Sequence, residues 1–186
     1  MSGDAKQTSL WQGADVYIAP EAATDGPTDL VTAWSAGWEL VGLLDGDEGF
    51  VEGREDETSE KYAWGGILYK RTSSKHKRTF KFVALEDNDT TFKLVNPGST
   101  RSAAAGIRTG KIKVPTAGAR FSIGFELREG TKIKRRIAKH AEVQEVGEIK
   151  ESEADPTVYE ITVVIFPESD GTLYDTVETD PDFVAP

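Results

Sequence analysis

Asp45-Gly46-Asp47-Glu48-Gly49 has the alternating carboxylates of a calcium loop, but the sixth position is Phe50 where such a loop needs glycine, and the twelfth is Asp56 where it needs a bidentate glutamate. The two histidines, His76 in a basic stretch and His140 after a basic strand, are too few for a three-histidine metal site and lack the partners of a nucleophilic triad. They read as surface residues. With 32 acidic residues in the chain, a close carboxylate pair is expected by chance and carries no information about glycoside chemistry. Gly65-Gly66 fits neither phosphate-loop spacing. There is no cysteine, which removes thiol catalysis, disulfides and thiolate-bound zinc. No catalysis and no cofactor are expected.

The 186 residues carry a formal net charge of −10, so a protein that grips phosphates by counterion release is unexpected. The charge is segregated along the chain. Asp45 to Glu60 holds eight acids and one base, and 61–81 holds seven bases and no acid. Arg128 to Lys139 holds six bases and one acid, whereas Glu142 to Asp182 holds thirteen acids and one base. Such blocks describe either solvated strand faces or surfaces that attract a second copy head to tail. The start lacks a basic and then apolar leader, and no stretch reaches the 18 apolar residues of a membrane span, so a soluble, unprocessed chain is expected, with no membrane partner.

The elements that must position these residues are mostly strands. In Arg120 to Arg128, Phe121, Ile123, Phe125 and Leu127 share one face, and Glu129-Gly130-Thr131 turns the chain. Lys132 to Lys139 is a basic strand, Ala141 to Ile149 a further strand whose broken alternation marks a bulge, and Val158 to Phe166 the most β-branched run. Phe80, Phe82 and Ala84 form a core face, and the polar stretch Lys70 to Arg78 before them reads as the middle of a hairpin. Glu86-Asp87-Asn88-Asp89 supplies caps for a two-turn helix near 87–96, which Asn96-Pro97-Gly98 ends. Ser99 to Arg120 is expected to wander, with a short strand at Lys111 to Val114, and a last strand is expected near Leu173 to Val177. Residues 1–37 read as an arm with one extended piece at Val16 to Ala19, residues 38–166 as the β domain and 167–186 as a tail. The fold class is all-β: an antiparallel sandwich or partial barrel with one short flanking helix.

The order of motifs resembles the major tail tube proteins of long-tailed, non-contractile bacteriophages. The matching pieces are Trp38-Glu39-Leu40-Val41-Gly42, Tyr62-Ala63-Trp64-Gly65-Gly66, Arg71-Thr72-Ser73-Ser74 into Thr79-Phe80-Lys81-Phe82, and Leu85-Glu86-Asp87-Asn88. Lys134-Arg135-Arg136-Ile137 and Ala141-Glu142-Val143 follow, then Tyr159-Glu160-Ile161-Thr162 running to Pro167 and Asp170-Gly171-Thr172. The resemblance implies a structural, non-enzymatic virion protein of the tail, assembled in the host cytoplasm. Six copies would close into a ring, and rings would stack around a tape-measure protein between tail terminator and distal tail proteins. Viral DNA would transit without specific binding. If each copy lends about four strands to the wall, a barrel of about 24 strands leaves a bore of roughly 36 Å, wider than a duplex of about 20 Å.

Within that picture the hairpin of residues 52–82 reaches a neighbouring subunit or ring. Trp64, Gly65 and Gly66 are its expected docking point, with Arg71, Lys75, Lys77 and Arg78 beside them. The bland alternative is that Trp64 packs on its own hairpin. Glu55, Asp56 and Glu57 are expected to pair between rings with Arg135 and Arg136. Glu126 and Glu160, each opposite an apolar face, are the expected bore-lining acids. Two rival classes are a monomeric carbohydrate-binding sandwich using Trp34, Trp38 or Trp64 as a sugar platform, and a small carboxylate hydrolase.

Overall fold

The computed structural model describes residues 4, 7–21, 25–115 and 118–182. Its elements are β1 (Gly13–Pro20), β2 (Glu39–Leu40), β3 (Val51–Ala63), β4 (Ile67–Ala84), α1 (Asp89–Val95), β5 (Thr100–Ala104), β6 (Ile107–Lys111), β7 (Arg120–Glu129), β8 (Lys132–Val146), β9 (Tyr159–Ile165) and β10 (Asp175–Glu178). The main sheet is antiparallel in the order β2-β1-β7-β8-β9-β4-β3, with β10 also paired to β8. The fold is therefore mostly β with one short helix, as its alternation predicts.

Period-two alternation builds the core. Phe125 and Ile123 of β7, Phe80 and Phe82 of β4, Ile161, Val163 and Ile165 of β9, and Val16 and Ile18 of β1 all point to one interior. The Phe80 and Phe125 rings lie 4.8 Å apart, and Phe50 meets Phe125 edge-on at 5.3 Å. Helix α1 closes one end by inserting Leu94. Asn88 anchors it: its Oδ1 accepts from the Thr91 N–H at 2.8 Å, while its Nδ2 donates to the Val41 carbonyl at 2.6 Å. The chain from 41 to 45 links the two ends of the sheet path. Val41 N–H donates to the Val16 carbonyl of β1, and Asp45 N–H to the Val83 carbonyl of β4.

Strand β8 is one long element where composition predicts two, because its register shifts rather than breaks. Opposite β7 it slips between Phe121 and Ile123, where the Ser122 hydroxyl donates to the Lys139 carbonyl at 2.9 Å. Opposite β9 it slips again between Val143 and Glu145, the bulge its broken alternation foreshadows. On its other edge β8 pairs with β10 over residues 134–137 and with β9 from Ala141 to Val146.

Two expectations are corrected. The basic stretch Lys70 to Arg78 is mid-strand, not a turn: β4 runs unbroken from Ile67, and the chain reverses at Trp64-Gly65-Gly66. The region after Ser99 is a hairpin, β5 with β6, turned by Ala105 and Gly106 at φ 51° and 78°. The extended piece of the N-terminal arm is longer than Val16 to Ala19: it is β1, Gly13–Pro20. β1 pairs along its whole length with β7, and Trp34 covers the outer face of that strand.

Trp34 sits so close to β7 that only glycine fits beneath it, since a Cβ on Gly124 would lie 2.2 Å from the indole Cη2. Gly124→Ala is therefore expected to lower the unfolding free energy by about 1–3 kcal/mol in urea. Gly46→Ala, where an added Cβ meets nothing within 4 Å, serves as the control that stays within about 0.5 kcal/mol.

Candidate assembly interface

Beyond Arg78 the β3–β4 pair leaves the body as a two-stranded ribbon. β4 pairs with β9 only from Arg78 to Ala84, whereas its pairing with β3 continues out to Ala63 opposite Ile67. The paired length beyond the body, about nine residues a side, extends about 30 Å. Cross-strand ion pairs run along it. Glu52 meets Arg78 at 2.5 Å, Glu55 meets Lys77 at 3.4 Å, Asp56 meets His76 at 2.5 Å, Glu57 meets Lys75 at 2.5 Å, and Glu60 meets Arg71 at 3.6 Å. Exposed pairs of this kind contribute only about 0.2–1 kcal/mol each, but opposite charges face to face reinforce one register over its alternatives. The acidic and basic blocks of the hairpin thus neutralise each other within one chain.

The end of the ribbon is different in kind. Trp64 is 100% exposed, and Tyr62, Ile67, Leu68 and Tyr69 around it are exposed as well. Gly65 and Gly66 hold the turn at φ 84° and 78°, a conformation a side chain would strain. Trp64 does not pack on its own hairpin. Arg71, Lys75, Lys77 and Arg78 lie along the stem, each paired to an acid of β3.

The other sequence-derived residues are placed as follows. Glu126 is 5% exposed and Arg135 4%, and they pair with each other. Glu126 Oε2 accepts from Trp34 Nε1 and from Arg135 Nε, both at 2.8 Å, while Oε1 accepts from Arg128 Nη1 at 2.5 Å. Arg128 also bonds Asp15, and Arg135 Nη1 donates to the carbonyls of Asp29 and Thr32 at 2.6 and 2.8 Å. Glu126 is thus covered by the chain's own strap, not free to line a bore, and Arg135 is spent on Glu126 and the strap, not available to another ring. A signal for this existed: the two-residue turn at Gly130-Thr131 sets the register that puts Glu126 opposite Arg135. Glu160 stays half-exposed on β9 and meets Lys81 at 2.8 Å. Arg136 is half-buried, its guanidinium 5.6 Å from the centre of the Phe80 ring.

Two of the three sugar-platform residues, Trp34 and Trp38, are also consumed. Trp34 stacks on Tyr17 at 4.5 Å and meets Trp38 edge-on at 4.9 Å, and Trp38 is buried. His140 Nδ1 lies 2.8 Å from Glu21. Asp45 Oδ1 accepts from the Asp47 N–H at 2.9 Å, a local turn. Among the described residues no group of three or more metal-ligating side chains comes together.

Burial raises the Glu126 carboxyl's affinity for a proton, but the Trp34 hydrogen bond and the Arg135 and Arg128 charges together outweigh it and hold the group below the ordinary glutamate range. A family model described as phage tail tube protein matches residues 5–186. Among solved structures the chain is similar to a tryptophan double mutant of the Hcp1 protein from the E. coli EAEC 042 pathovar, at 11% identity and a TM-score of 0.36, covering 88% of this chain and 96% of that one. No curated protein sequence matches.

Because the Glu126 carboxyl is lowered on folding, its contribution is present above the unfolded value of about 4.5 and is lost as pH falls through the folded value. Glu126→Gln is expected to cost about 3 kcal/mol at pH 7, since it strands Arg135, and to flatten the loss of stability below pH 4.5. Urea unfolding across pH 3–7 measures both; an equally steep acid loss in the variant would assign the acid sensitivity elsewhere.

Proposed function

The chain belongs to the phage tail tube protein family, and from that premise we propose how its copies build the tube. The family role is structural and self-associating, located in the virion tail. The finer reading is a siphophage tube of stacked six-membered rings whose sheets join edge to edge. Joining also answers the exposed margin of β3, since a long open strand edge invites uncontrolled pairing. A tape-measure protein occupies the lumen during assembly in the host cytoplasm, terminator and distal proteins close the ends, and DNA later passes through.

The observation that carries this reading is the uncovered apolar end of the ribbon. An isolated chain leaves Trp64 wholly in water, whereas an interface would bury roughly 150–250 Å² on such a ring. The charge balance suits a conduit. Six copies at −10 each amount to −60, which repels phosphate over the length of a ring and opposes sticking. Glu160 remains the proposed bore acid, on the part of the sheet that Trp34 does not cover.

Trp64→Ala tests the reading. As the side chain is fully exposed, the melting temperature is expected to stay within about 1–2 °C of wild type. Negative-stain images of the wild type are expected to show rings and tubes, and those of the variant short or no tubes. Tubes of normal length from the variant would remove the docking role.

A further inference from the structure

We infer that the ribbon tip of one copy docks into the cleft at the base of the same ribbon on the next copy. This rests on the tube reading above and names its contact. The cleft, 430 Å³ in volume, is lined by Leu44, Phe50 and Leu127, with exposed Leu10 at its rim. It lies at the root of β3, since Phe50 immediately precedes Val51. Its mouth carries Asp45, followed by Asp47 and Glu48 on the same turn, and none of the three forms a salt bridge among the described residues.

The tip presents the complementary charge. Lys61 lies directly opposite Lys70 in the ribbon register, and neither has an acid partner among the described residues, although the stem from Glu52 to Glu60 is ion-paired. Like charges face to face destabilise an isolated strand pair, so these two ammonium groups are set for acids that the ribbon itself does not supply. Trp64, the residue immediately after the end of β3, is the apolar anchor that would fill the cleft. Arg136, which also lines the cleft, offers the entering indole a cation.

The occupant is a second copy rather than the chain's own tip. The stem is paired out to Ala63 opposite Ile67, which holds the tip about 30 Å from its root and away from its own cleft. A tip-to-root contact uses two different surfaces on each copy. It is therefore head-to-tail, and it repeats without limit unless a ring closes it.

Charge exchange tests the pairing. Lys61→Glu with Lys70→Glu is expected to raise the critical concentration for polymerisation about tenfold or more, as is Asp47→Lys with Glu48→Lys. All four together are expected to return to within about threefold of wild type. The natural absence of cysteine allows a second measurement. Ala63→Cys with Gly46→Cys keeps Trp64, and the new side chain at Gly46 meets nothing within 4 Å. Mild oxidation of polymer is expected to give a ladder of covalent multimers on a non-reducing gel, which neither single variant gives. Tubes that form without a ladder and without charge rescue overturn the docking and leave the tube reading standing. A wild-type chain that stays monodisperse overturns both.

Discussion

A carboxylate withdrawn from water must find partners for its oxygens, and the response to that requirement at Glu126 organises one side of the molecule. Two arginines and an indole N–H converge on it, and one of those arginines reaches on to two carbonyls of the strap at Asp29 and Thr32. The strap, the β7–β8 register and the position of Trp34 over Gly124 are therefore one coupled arrangement. Removing any member leaves buried charge or buried polar groups unanswered. The outer face of the sheet is divided as a result: the part over β7 is sealed by the chain itself, and the part at β9 and β4 stays open.

The ribbon follows the opposite logic. Its charges are exposed, individually weak, and matched in register, so they cancel locally and leave little net attraction along the stem. What survives the cancellation is specific: an apolar tip and two lysines without an acid partner among the described residues at one end, and an apolar cleft beside three acids that form no salt bridge among the described residues at the other. A polymer subunit that reacted along its whole flank would aggregate in any register, whereas one that reacts only at two distant, unlike points propagates in a single direction.

The tail tube role adds a constraint that no single contact expresses. The proposed passage for DNA would have to exclude strong phosphate sites, and the composition suits that, with 22 basic residues against 32 acidic ones. Most of its cations are committed to acids of the same copy, for example Lys134 to Glu178 and Lys139 to Glu168. Pairing in cis lowers the number of free ammonium and guanidinium groups that a passing phosphate could meet.

Local chemistry was enough to make several features readable from residues alone. The alternation in β7 and β9, the Asn88 cap, the turn at Gly130 and the bulge in β8 are decided by neighbours within a few positions, where steric and hydrogen-bonding rules act without reference to the rest of the chain. The small, polar composition of β5 and β6 hid a hairpin whose main local mark was Ala105-Gly106. The place where the long ribbon turns, the burial of Glu126 and the covering of Gly124 by Trp34 belong to tertiary structure. An acid alternating with apolar residues looks the same on paper whether solvent or a strap ninety residues away lies above it. Only the folded arrangement sets which partners arrive, because burial and pairing are properties of space and not of spacing along the chain.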